Sequence, residues 1–131
     1  MAPSGKALVK EMFTATERGM DPLEAIEKYL DPSIEWVDGV VTKTTVRGHS
    51  GFIEAMANLE REGYDANSMP EAFEELAEGV VLASGYTRLT KGSSFTDLPA
   101  YWAFELRDGK IVRGGSAMRR DQALASIGRA E

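Results

Sequence analysis

AYWAFELRDGKIVRGGSAMR (Ala100–Arg119) reads as two antiparallel strands joined by a tight turn at Arg107-Asp108-Gly109-Lys110. Trp102, Phe104 and Leu106 alternate with Tyr101, Glu105 and Arg107, the period-two pattern of a half-buried strand. Asp-Gly is a strong hairpin signal, because glycine accepts the positive φ that the reversal needs. The second strand then places Gly114-Gly115 ahead of Ser116, Ala117 and Met118. A strand without side chains at two positions bulges, admits another group closely, or leaves a space.

Composition bounds the rest. The chain has 131 residues, enough for one domain with a real core, and 43% of them are hydrophobic. A net charge of −6 with no basic run argues against nucleic-acid partners. Without cysteine there is no disulfide or thiol chemistry, and a single histidine argues against a zinc site. No long apolar run suggests a leader or a membrane span, so the expectation is a cytoplasmic protein without a membrane partner. No cofactor and no metal are expected.

Upstream of the hairpin the pattern is mostly helical. Met1–Pro3 reads as frayed. Ser4 caps a helix to about Arg18 with Leu8, Val9, Met12 and Phe13 as its apolar stripe. Asp21-Pro22 starts a second helix, which Asp31-Pro32 stops. Ile34–Val37 is a short strand, Asp38-Gly39 a turn, and Val40–Arg47 a strand or an extended loop. A third helix runs from Gly51 to about Arg61, buried through Phe52, Ile53, Met56 and Leu59. Tyr64–Pro70 reads as a polar loop. Glu71–Glu78 is ambiguous, with Phe73 and Leu76 at helical spacing but a position that suits a strand. Val80–Thr90 is a strand and Lys91–Pro99 a polar connection. Asp121 caps a last helix that Gly128 closes. Helices ahead of consecutive antiparallel strands indicate one α+β domain over residues 1–131, with helices on one face of a curved sheet and a cavity between them.

The Gly48-His49-Ser50-Gly51 entry to the third helix, the LPAYWAFELRDGKI segment (Leu98–Ile111), and the terminal helix with Ala123, Leu124 and Gly128 carry a resemblance. Together they resemble the SnoaL-like branch of the nuclear transport factor 2-like superfamily, including its limonene epoxide hydrolase-like members. The resemblance covers nearly the whole chain. It implies a cone: a curved mixed β-sheet wrapped on three helices of the N-terminal half, a short C-terminal helix, a pocket at the wide end, a strand near Glu71–Ala77, and a homodimer. It implies no activity, since this fold hosts isomerases, cyclases, dehydratases, epoxide hydrolases and binders. The positions matching the epoxide hydrolase Arg/Asp/Asp set are Gly85, Thr87 and Ser116, so that mechanism is not expected.

The remaining chemistry is sparse. Asp38, beside Trp36, matches the carboxylate base of ketosteroid isomerases after a one-residue gap. In an apolar mouth its pKa would rise and it could move a proton between carbons; as the first residue of Asp-Gly it is equally an ordinary turn residue. The second acid of that family falls near Trp102. His49 either packs at a helix start or shuttles a proton. Trp36, Phe52, Met56, Thr87, Trp102, Phe104, Ser116 and Met118 are the expected pocket wall, with the space at Gly114-Gly115 retained. The reading is a domain that binds a small apolar molecule. The alternatives are an isomerase, cyclase or dehydratase acting on a polyketide-, terpenoid- or steroid-like substrate through Asp38, and a non-catalytic dimeric interaction module.

Overall fold

The computed structural model describes residues 4–129, and the expectation for Met1–Pro3 lies outside them. The elements are α1 (Gly5–Glu17), α2 (Pro22–Tyr29), β1 (Leu30–Asp38), β2 (Thr45–Arg47), α3 (Gly48–Arg61), β3 (Tyr64–Ala77), β4 (Val80–Lys91), β5 (Ser94–Arg107), β6 (Lys110–Ala117) and α4 (Arg120–Ala125). Ser4 caps α1 through a bond from the Ala7 N–H, and Asp21 caps α2 with Pro22 in the first turn. The strands form one six-stranded sheet in the order β2-β1-β6-β5-β4-β3. Only β1 and β6 pair in parallel; the other neighbours are antiparallel. The fold is therefore α+β with a mixed, curved sheet.

The hairpin forms as its sequence dictates. Arg107 pairs with Lys110, and Asp108 and Gly109 both take positive φ, 53° and 77°. Trp102 and Phe104 face inward and join Val9, Ile26, Ile34 and Val81 in the main core under α1–α3. Ala103 faces outward, where Ala123 and Leu124 of α4 and Ile127 just after it cover it.

Gly114-Gly115 is a place of close approach on both faces. A Cβ on Gly114 would fall 2.5 Å from Cζ3 of Trp36 and from the carbonyl oxygen of Ala103. A Cβ on Gly115 would fall 2.5 Å from the Ser126 hydroxyl of the chain following α4. The expected retained space is thus absent at this point, because an indole and the C-terminal segment occupy it.

Several boundaries differ from the sequence expectation. Tyr64–Pro70 and Ser94–Pro99 are strand, not loop; their polar composition reflects a sheet margin wetted by solvent, which needs no apolar alternation. Glu71–Ala77 is strand, as its position and the resemblance imply. Phe73 and Leu76 are an odd number of residues apart, so on a strand they face opposite sides: Phe73 packs on the inner core and Leu76 on the outer cluster. A bulge at Pro70–Ala72 sits against Gly85, whose missing Cβ admits the Pro70 and Glu71 backbone and lets the sheet bend there. Asp31 and Pro32 end α2 but lie within β1, in an irregularity where proline's lack of an N–H costs no ladder bond. Only Thr45–Arg47 of the Val40–Arg47 segment is strand. The cap residue of α4 is Arg119 rather than Asp121, whose carboxylate accepts from the Arg119 guanidinium at 3.2 Å.

Gly114→Ala is expected to destabilise the fold by about 2 kcal/mol, as overpacking of a rigid site does. Urea denaturation measures it. Trp36→Leu in the Gly114→Ala background should recover part of that loss, because the two residues compete for one volume.

Candidate functional site

A cavity of about 840 Å³ lies between the helices and the inner sheet face. Trp36 and Asp38 reach it from β1, Phe52 and Met56 from α3, Thr87 from β4, Trp102 and Phe104 from β5, and Ser116 from β6. Met12 and Phe13 of α1 close one side, and residues 65–71 of β3 form an edge. The aromatic rings support one another: Phe13 meets Trp102 edge-on with centroids 5.6 Å apart, and Trp36 lies 5.4 Å from Phe104.

Asp38 is the polar centre of this wall. It pairs with Ser116 across the parallel β1–β6 ladder, and the Gly39 N–H donates to the Ser116 carbonyl at 2.7 Å. A Cβ at residue 39 would fall 2.6 Å from that carbonyl, so the contact requires glycine. The chain then turns back over the carboxylate. Oδ1 accepts from the Val40 N–H at 2.9 Å, the Val41 N–H at 3.0 Å and the Ser116 hydroxyl at 3.1 Å. Oδ2 accepts from the Thr42 N–H at 3.1 Å and the Thr42 hydroxyl at 3.0 Å. Asp38 is therefore a turn residue and a cavity residue at once. Burial pushes its pKa up, but the N–H groups of Val41, Val40 and Thr42 and the Thr42 hydroxyl outweigh burial, leaving it below the ordinary carboxylate value. The expected rise is thus reversed: the mouth is apolar, but the backbone supplies donors that composition does not reveal.

Two expected site residues lie outside the cavity. The His49 Nε2 is 2.8 Å from the carbonyl oxygen of Leu30, tying the start of α3 to the start of β1. Met118 is partly exposed, because β6 ends at Ala117 and the alternation that places Gly114 and Ser116 inward stops there. Conversely, Met12 and Phe13 read only as a helix stripe, yet both line the cavity, as does Tyr86 of β4. Helical stripe residues and cavity residues share one sequence signal, since the cavity lies within the apolar layer.

No family model matches the chain, and no curated protein matches it in sequence. Solved structures do match in shape. An NTF2-like protein of unknown function from Burkholderia pseudomallei superposes with a TM-score of 0.74 at 16% identity, covering 98% of this chain and 100% of that one. The fold is NTF2-like. TerC co-crystallised with polyporic acid gives 0.70 at 20% identity over 95% of this chain and 98% of its own. A candidate polyketide cyclase from Xanthomonas campestris gives 0.70 at 17% identity over 95% and 96%. No helix among the described residues is long and apolar enough to cross a membrane.

Asp38→Ala is expected to cost about 2 kcal/mol, by stripping N–H groups of residues 40–42 of a charged acceptor. The pH dependence has a definite sign. A carboxyl that titrates lower in the folded than in the unfolded chain contributes fully above the unfolded value, near ~4, and loses that contribution as pH falls through its folded value. The stability gap between the wild type and Asp38→Asn, from chemical denaturation, should therefore be wider at pH 7 than at about pH 3.

Proposed function

We propose that the chain binds a small, mostly apolar molecule in the cavity between its helices and its inner sheet face. The volume falls within the range of small-molecule sites, and the wall is largely aromatic and aliphatic with few polar groups. That a protein of the same fold was co-crystallised with polyporic acid supports a binding role.

One observation favours binding over proton transfer. A carboxylate offers about four lone-pair sites. Asp38 already receives bonds from two groups of Thr42, from the Val40 and Val41 N–H groups, and from Ser116. A general base needs a free lone pair aimed at the proton it takes. Asp38 is instead a fixed, ionised wall group. Ser116 spends its hydroxyl proton on Asp38, so its oxygen is left to accept from a ligand.

Native mass spectrometry for copurified molecules, followed by a thermal-shift screen of apolar alcohols, ketones and epoxides, tests this reading. A ligand at ~100 times its Kd should add about 2.7 kcal/mol, a shift of several degrees. Met56→Trp, which fills the cavity, should remove the shift. A screen in which no compound stabilises the fold, with no copurified mass, would overturn the reading.

A further inference from the structure

The cavity wall holds acids and no bases. Asp38, Glu17, Asp65 and Glu71 line it, and no Lys, Arg or His does among the described residues. Asp38 is partly buried near Ser116, while Glu17, Asp65 and Glu71 are exposed where the cavity opens. Among the described residues, no ion pair involves any of these four carboxylates. The negative charge inside the cavity is thus stabilised by hydrogen bonds and meets no cationic side chain among the described residues that line it. The same space is walled by Trp36, Phe52, Trp102 and Phe104, whose ring faces carry negative potential.

We propose that the ligand is an apolar cation, an amine protonated at neutral pH, with its N–H directed at the Ser116 oxygen and its hydrocarbon body among the aromatic rings. This rests on the binding reading above and specifies its ligand class. Three features converge on it. Ser116, having donated to Asp38, presents an acceptor next to a full negative charge, which suits a charged donor more than a neutral one. Aromatic walls around a desolvated ammonium add cation–π attraction. The acidic mouth and the net charge of −6 concentrate cations at the opening and repel anions. An anionic ligand would meet repulsion from Asp38, and no Lys, Arg or His among the described residues lines the cavity to offset it.

Isothermal titration with three apolar frames (phenyl, naphthyl and adamantyl), each carrying an aminomethyl, hydroxymethyl or carboxylate group, separates the possibilities. The amine should bind on the order of tenfold more tightly than the matching alcohol, with the carboxylate weakest. Asp38→Asn should bring the ratio of amine to alcohol affinity down to near one. Should that variant fail to fold, Glu17→Gln with Glu71→Gln, both exposed, should narrow the amine-to-alcohol ratio a few-fold. Alcohols binding as tightly as amines, or carboxylates binding best, would overturn the inference and leave the binding reading intact. Binding by none of the nine compounds would count against the binding reading itself.

Discussion

Trp36 can lie across β6 only because residue 114 has no side chain. The indole takes the volume that a Cβ would need, and it meets Phe104 on the neighbouring strand. That contact binds the first strand of the chain to the last by parallel pairing, so the N-terminal half closes over the meander formed by β3–β6. Gly115 does the complementary job on the other face by admitting Ser126 beside α4. Two adjacent residues without side chains thus fix how closely both layers approach the sheet.

The cavity follows from the same pairing. With Trp36 seated at Gly114, the ladder carries Asp38 opposite Ser116 two residues later, on the same face. The carboxylate therefore arrives in the cavity through strand register. Its charge is tolerated there because residues 40–42 fold back and present their N–H groups to it. One side chain caps a turn and polarises a pocket wall. Loop and site are for that reason energetically linked, and a ligand that draws on the Ser116 oxygen also acts on the turn that holds Asp38.

The sequence displayed what is local and periodic. The Asp108-Gly109 turn, the inward Trp102 and Phe104, and the helix starts at Ser4 and Asp21 are each marked by a pattern within a few residues of sequence, and all are found. The missed features depend on partners far away in the chain. Tyr64–Pro70 looks like a loop because its polarity suits one, and only the β4 backbone makes it a strand. Phe73 and Leu76 leave their segment open between helix and strand, and the structure settles it as a strand on which each serves a different face. Met118 continues the alternation on paper, but the strand ends one residue before it. Asp38 was legible as a turn residue and as a pocket acid, but not as both, because the Ser116 hydroxyl comes from 78 residues away.

The relation between residues 38 and 116 also limits what chemistry this wall can support. Ser116 stands 3.1 Å from Asp38 as a donor, and the pair holds one negative charge. An acid at residue 116 would put two carboxylates at that distance, and like charges so close cannot both ionise, so one would retain a proton at neutral pH. Such a pair could exchange protons with a substrate. The serine removes that possibility and lets Asp38 stay ionised, with its lone pairs occupied by the turn. A carboxylate whose lone pairs are taken by fixed donors is better suited to orienting a group beside it than to accepting a proton. A hydroxyl rather than an acid at residue 116 therefore leaves the neighbouring Asp38 to hold its charge without a competing carboxylate.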